Sequence, residues 1–227
     1  MFVNRYDRRL QDIASHTATL ADDVHTMLSR ALNALAQLDE SAADAVLDHD
    51  DVVDEESLRL EEEALELISL QQPRREDLRV LAATLRITRD LERIADYACD
   101  IAEVTPVVAG FTVEQARQQI THLGELTLAM LSRAHYSFIN HDSDSAREVN
   151  HSDDEVDALY LTIHHSLLRL MEEEPSLIVQ ASHLALVARY LERIADHAVN
   201  IAEMTLYMVD GLRHPFRRPP DHTGAKG

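Results

Sequence analysis

The chain is poor in the residues that stop helices and lacks several that mark other protein classes. Its 227 residues include no tryptophan, one cysteine, five glycines and six prolines. The single cysteine, Cys99, excludes an intrachain disulfide and favours a reducing compartment. No run approaches the roughly 18 apolar residues that a membrane span needs, and the charged N-terminus lacks an apolar signal segment. We therefore expect a cytoplasmic protein.

Basic residues are also scarce relative to acidic ones. The sequence contains 21 Lys and Arg residues and 41 Asp and Glu residues, which gives a formal charge of −20. Binding to nucleic acid requires clustered basic residues, so we expect no nucleic-acid partner. An anionic membrane surface would repel the chain as well. Any association with a membrane is therefore expected to run through a protein partner or a bound cation.

The chain contains a long internal repeat. The hexapeptide Leu-Glu-Arg-Ile-Ala-Asp occurs at 91–96 and at 191–196, and twelve of seventeen positions are identical between 89–105 and 189–205. The segment Met27–Ala31 also returns at 130–134. One repeat of roughly 100 residues indicates two copies of a small domain, whereas a solenoid needs more and shorter units. The predicted domains are 1–108 and 109–211, followed by a flexible tail at 212–227.

The spacing of apolar residues predicts helices throughout both copies. Prolines are confined to breaks, and apolar residues alternate spacings of three and four from Leu10 to Leu38 and from Val113 to Ser137. No segment shows the alternation typical of strands. The short joining loops require neighbouring helices to be antiparallel. We predict an all-α fold of two tandem antiparallel three-helix bundles, with helices at 5–38, 42–71, 76–105, 112–140, 145–173 and 177–209.

Acidic residues form a stripe on the third predicted helix of each copy. On a helix, Glu92, Asp96, Asp100 and Glu103 lie within about 80° of one another, beside the apolar face. Glu192, Asp196, Asn200 and Glu203 repeat the pattern. Neighbouring like charges destabilise a helix, so a retained stripe suggests a neutralising partner, and clustered carboxylates suit metal cations. Candidate further ligands from the second helix are Asp54 and Asp157, together with Asp50, Asp51, Asp153 and Asp154.

Two other interpretations of the stripes remain open. Arg89, Arg93, Arg189 and Arg193 could pair with the acids on a solvated helix face, as in most charged stripes. A carboxylate-bridged metal oxidase or storage protein normally carries two Glu-x-x-His motifs, and this chain has only Glu148–His151. No glycine-rich phosphate loop or nucleophile constellation is present, so we do not expect an enzyme and assign no catalytic residue.

The two segments 91–103 and 191–203 strongly resemble the signature helices of the PhoU family. The resemblance covers residues 1 to about 212 and includes the duplication, the helix count and the acidic balance. Glu92 and Asp96, and Glu192 and Asp196, match the family's Glu-x-x-x-Asp metal motifs. The sequence departs from the family at Ala95 and Ala195, where glycine is usual, and at Asp100, where asparagine is common.

The resemblance implies a non-enzymatic adaptor for phosphate signalling. Such a protein contacts the ATP-binding subunit of the phosphate transporter and a sensor histidine kinase, and it represses the phosphate-starvation response when phosphate is plentiful. A homodimer is also implied, with divalent or trivalent metal ions, namely iron, zinc, manganese or magnesium, on the carboxylates. The alternative within this resemblance is a PhoU-like helper of a low-affinity phosphate permease.

Overall fold

The structure, a computed structural model, describes residues 5–110 and 113–211, and these residues form helices without any strand. Short 3-10 turns at Pro106–Val108 and Pro175–Leu177 join some of the α-helices. None of the described helices is long and apolar enough to cross a membrane. The α-helices are α1 (Arg5–Gln37), α2 (Glu40–Leu47), α3 (Asp50–Gln71), α4 (Arg75–Val104), α5 (Glu114–Asn140), α6 (Ser143–Glu173) and α7 (Ile178–Asp210).

The helices form the two predicted bundles, which confirms the fold class. In the first copy α1, α3 and α4 pack together with the short α2, and in the second copy α5, α6 and α7 do the same. The predicted seam of α1 is buried from Ile13 to Ala34, and that of α5 from Ala116 to Ser137. The domain limits at 108 and 109 stay a prediction, and the predicted tail lies outside the described residues.

The turn after the first helix is built identically in the two copies. Leu38 and His141, 103 residues apart, both take left-handed backbone angles (φ 57° and 51°) that end α1 and α5. The next residue caps the following helix: the Asp39 carboxylate accepts from the Ala42 amide, and the Asp142 carboxylate accepts from Ser145. Side-chain oxygens at this position satisfy amides that the helix itself cannot bond. The repeat therefore preserves its turn chemistry.

The second predicted helix, 42–71, is wrong in one respect, because it is divided into α2 and α3 near Asp48 and His49. The His49 amide bonds to the Val46 carbonyl, and the Val52 amide bonds to the His49 carbonyl, so the backbone tightens to three-residue hydrogen bonds. All four residues from 48 to 51 are Asp or His, which favour helices weakly, but the equivalent residues 151–154, His-Ser-Asp-Asp, are no better helix formers, so propensity alone does not explain the break. The equivalent part of α6 is continuous.

The two bundles meet through α4 and α7, the helices that carry the repeated hexapeptide, and through α1 and α5. Tyr97 of α4 stacks on Tyr190 of α7 with ring centroids 5.6 Å apart, and it also lies beside its own repeat counterpart, His197. Asp90 of α4 accepts hydrogen bonds from His197 at 2.7 Å and from Asn200 at 3.1 Å. Contact between counterpart residues indicates an approximate twofold axis at this point of the interface.

Candidate metal centres

The fold brings the acidic residues of two helices together in each bundle. In the first bundle, Asp50 and Asp54 of α3 interact with Glu92 and Asp96 of α4, and we call these four residues the first acidic cluster. In the second bundle, the equivalent residues of α6 and α7 form the second acidic cluster, which comprises Asp153, Asp157, Glu192 and Asp196. Each cluster combines an Asp-x-x-x-Asp pair with the repeated Glu-x-x-x-Asp pair.

The second acidic cluster holds the most strongly perturbed carboxyl group. Burial, followed by repulsion from the charges of Asp157 and Asp196, raises the pKa of Asp153 to about 6. Burial followed by repulsion from Asp196 also raises the pKa values of Asp157 and Glu192. Four carboxyl groups therefore share a partly buried space in which full ionisation is costly. A cation at this position would remove that cost.

The first acidic cluster also contains carboxyl groups with raised pKa values, and the thiol of Cys99 lies beside them. Burial and then repulsion from Asp96 raise the pKa of Glu92, while burial is the main cause that raises the pKa of Asp50. Burial and the nearby Asp50 also raise the pKa of the Cys99 thiol to about 12. Cys99 is therefore a neutral thiol at physiological pH, whereas metal binding through sulfur requires the thiolate. The equivalent residue of the second copy is Val199.

Arginines neutralise part of each cluster, as the solvated-face interpretation expects. Arg93 pairs with Asp96 at 2.8 Å in the first bundle. In the second, Arg189 pairs with Glu192 at 2.7 Å and Arg193 pairs with Asp196 at 3.3 Å. Four carboxyl groups thus face one paired arginine in the first cluster and two in the second. Pairing with arginine and binding of a cation are therefore compatible in these clusters.

Three of the remaining predicted ligands, Asp100, Glu103 and Asn200, lie towards the contact between the bundles. Burial, then Glu103 and Asp96, raise the pKa of Asp100, and the charges of Asp100 and Glu103 act on Tyr190 of the opposite bundle. The Asn200 amide donates to Asp90. Glu203 is half-buried on α7. The stripe therefore divides into a cluster-facing part and an interface-facing part.

The donor set of the clusters fits a hard or borderline cation, although the side chains do not converge on one point. In the described part of the chain, no group of three or more His, Cys, Asp or Glu is arranged to hold a metal ion. One buried carboxylate oxygen in each cluster, Oδ1 of Asp50 and Oε2 of Glu192, has no hydrogen-bond partner, although Oε2 of Glu192 lies 3.9 Å from Nε of Arg193. Unsatisfied buried oxygens are costly, and an ion with adjusted rotamers would satisfy them.

Asp50 and Asp153 contribute more to the clusters than the sequence pattern predicts. Both lie one turn before the favoured candidates Asp54 and Asp157, and both are duplicated at the same offset of 103 residues. That duplication is the signal that identifies them. Which acids of 50–54 face α4 depends on the packing angle between two helices, and a sequence does not specify that angle.

Comparisons with known proteins agree on one family. The family model for the PhoU domain matches residues 17–105 and again 120–205. A phosphate-specific transport system accessory protein PhoU homolog from Clostridium acetobutylicum is 31% identical over 207 residues, which cover 91% of this chain and 94% of that protein. A homolog of the same name from Rhizobium meliloti is 30% identical over 96% of this chain and 93% of its own length.

Solved structures show the same similarity. The crystal structure of PhoU from Pseudomonas aeruginosa matches with a TM-score of 0.89 and 30% identity, and the match covers 92% of this chain and all of that one. The phosphate transport system regulatory protein PhoU from Streptococcus pneumoniae matches with a TM-score of 0.85 and 25% identity over 92% of this chain and 98% of that chain.

Proposed function

This chain belongs to the PhoU family, and we propose that it is a non-enzymatic accessory protein of a phosphate transport system. It contacts the ATP-binding subunit of the transporter and a sensor histidine kinase, and it represses the phosphate-starvation response when phosphate is abundant. The observation that carries this proposal is the match of both repeats, over most of their length, to a family whose members bear the name of phosphate transport accessory proteins. We also propose that the working unit is a homodimer in the cytoplasm.

We further propose that the two acidic clusters bind metal cations and that the bound cations form part of the docking surface. The carboxylates supply oxygen ligands for iron, zinc, manganese or magnesium. Glu92, Asp96, Glu192 and Asp196 are the central ligands, assisted by the aspartates of α3 and α6. The shared burial and repulsion in each cluster support this proposal, because bound cations would relieve both.

Deletion of the gene tests the regulatory proposal. The deletion strain should express starvation genes in high phosphate, measured with a reporter for such a gene. Charge reversal at Glu92 and Asp96 should reproduce this phenotype without unfolding the protein, because both side chains are only half-buried. The matched control reverses two exposed acids, Asp12 and Glu125, which lie outside both clusters, and should leave repression intact.

Two results would contradict the proposal. If the deletion strain still represses starvation genes in high phosphate, the protein is not the repressor, and the helper of a low-affinity permease becomes the better hypothesis. A single species of 25.6 kDa in sedimentation at micromolar concentration would contradict the homodimer.

A further inference from the structure

Each bundle exposes a pair of leucines on the outer side of its middle helix. Leu58 and Leu65 of α3 are 59% and 55% exposed, and Leu161 and Leu168 of α6 are 53% and 44% exposed. The members of each pair are seven residues apart, so they lie on one face of their helix about 10.5 Å apart. The two pairs are also repeat counterparts, 103 residues apart. Both outer faces therefore present the same two apolar side chains.

These leucines are retained where the rest of the helix has diverged. Between 55–71 and 158–174, only three of seventeen positions are identical, and two of the three are the exposed pairs Leu58/Leu161 and Leu65/Leu168. The buried positions have changed size, with Ala64 in one copy and Leu167 in the other. Packing inside the bundle leaves these side chains about half exposed, so the retained pair is available for a contact outside the chain.

The charged residues around the leucine pair of α3 differ strongly from those around the pair of α6. Outside the first acidic cluster, three acids lie around the α3 pair, namely Glu55, Glu61 and Glu62, and their counterparts on α6 are Ala158, His164 and His165. Glu66 is paired with Arg9 at 2.6 Å, and the only cation of α3, Arg59, is paired with Glu56 at 3.2 Å. The acids around Leu58 and Leu65 are thus left in excess, whereas the α6 pair lies among mostly neutral or basic groups.

We infer that the outer face of α3 at Leu58 and Leu65 docks an amphipathic helix of a partner protein, which presents apolar side chains seven residues apart with lysines or arginines beside them. A facing helix matches the leucine spacing, because helices that pack side by side share this repeat. The surrounding acids select a basic partner and disfavour acidic ones. A second copy of this chain fits poorly, since two acidic α3 faces would repel each other. The inference rests on the adaptor role proposed above.

Two synthetic peptides test the inference with the full-length protein. Both are 21-residue helices with leucine at every apolar heptad position, and they differ only in carrying lysine or glutamate at the flanking positions. Fluorescence anisotropy should show binding of the lysine peptide that weakens at least tenfold in Leu58→Ser/Leu65→Ser. The matched control Leu161→Ser/Leu168→Ser should change the affinity less than twofold. The glutamate peptide should bind at least tenfold more weakly than the lysine peptide.

A second variant tests the role of the acids while leaving the leucines unchanged. Glu55→Lys/Glu62→Lys should reverse the preference, so that the glutamate peptide becomes the tighter ligand. Circular dichroism should show the same helicity for every variant, because all the changed side chains are exposed.

Three outcomes would overturn the inference: equal losses in the two leucine variants, no loss in either, or a concentration-dependent dimer that Leu58→Ser/Leu65→Ser abolishes. Equal losses would mean that both outer faces bind the peptide through their leucines and that the acids of α3 select nothing. No loss in either variant would indicate attraction to the overall negative charge, and the dimer would make a second copy the occupant. If peptide binding fails while deletion of the gene still derepresses starvation genes, the docking surface is wrong and the proposed function stands.

Discussion

Individual carboxylates of the two acidic clusters destabilise the folded protein unless a cation or an arginine neutralises their charge. Asp96 and Asp196 each interact with several other acids and also with an arginine. Exposed ion pairs stabilise by at most about 1 kcal/mol, and repulsion between helix neighbours costs a few tenths. Without metal, these opposing effects nearly cancel at each position. With metal, a lost ligand has no compensation.

We therefore predict that Asp96→Asn combined with Asp196→Asn removes bound metal and the stability that the metal confers. Elemental analysis should show loss of the ion, and the melting temperature of metal-loaded protein should fall. After treatment with a chelator, the variant and the wild type should agree within about 1 kcal/mol, because lost arginine pairs offset relieved repulsion. Unchanged metal content and unchanged melting of the loaded protein would show that the stripes are only solvated faces.

Asp153 makes the stability of the metal-free protein dependent on pH. Its pKa in the folded state is about 6, above the ordinary value of 3.8. Between these values the folded chain holds more protons than the unfolded chain, so the stability contributed by Asp153 is present at low pH and is lost as pH rises through about 6. Asp153→Asn should flatten the dependence between pH 7.5 and 5 and raise the melting temperature at pH 7.5. A variant that keeps the wild-type pH dependence would contradict this account.

At the level of helices, α5 carries a glycine that its repeat counterpart lacks. Gly124 lies in the middle of α5, and the equivalent residue of α1 is Ala21, which is buried. A Cβ at Gly124 would lie 3.0 Å from the Cδ atoms of Leu32. Leu32 also lines a cavity of about 180 Å³ between α1 and α5, so its side chain has space into which to move.

We expect Gly124→Ala to stabilise the protein. Alanine is favoured over glycine inside a helix by about 0.5–1 kcal/mol, and for a chain of this size that raises the melting temperature by roughly 1–4 °C. Thermal unfolding followed by circular dichroism measures the change. A lower melting temperature would show that Leu32 is held in place. Gly110→Ala is the control without a contact, since a Cβ there meets no atom within 4 Å.

The sequence predicted where the helices begin and end better than it predicted which helices pack against each other. Five of the six predicted helices end within two residues of the observed ones, because periodicity and proline mark burial and breaks directly. The periodicity of α1 did not reveal its second buried set, Ala21, Leu28 and Leu35, repeated in α5 as Gly124, Leu131 and Phe138. Apolar periodicity identifies a residue as buried, but it does not identify the helix that packs against that residue. For the same reason the sequence placed Asp100 and Asn200 with the clusters, whereas the structure places them towards the other bundle.

In the whole molecule, the duplication has produced two bundles that share a large core, and a small separate cluster of Ile13, Ala64, Leu67 and Leu81 lies within the first bundle. A continuous set of buried apolar residues runs from Leu28 and Leu91 in the first bundle to Leu131 and Leu191 in the second. The repeated helices α4 and α7 lie at the centre and leave the middle helices α3 and α6 outermost. The strongly repeated hexapeptide therefore serves packing and charge together: its apolar side chains join the bundles, and its acids face the outer helices.

The shared core predicts that both bundles unfold together. Calorimetry of the metal-free chain should give one transition whose van't Hoff enthalpy equals the measured enthalpy, because separating the bundles would expose the apolar faces of α4 and α7. Asp90→Ala leaves half-buried His197 and exposed Asn200 without their acceptor and should cost about 0.5–1.5 kcal/mol, yet it should keep a single transition. Asp44→Ala, an exposed acid remote from this contact, should change stability by less than about 0.5 kcal/mol. Two resolved transitions in the wild type would mean that each repeat is an independent folding unit and that the contact between α4 and α7 is a docking surface rather than a core.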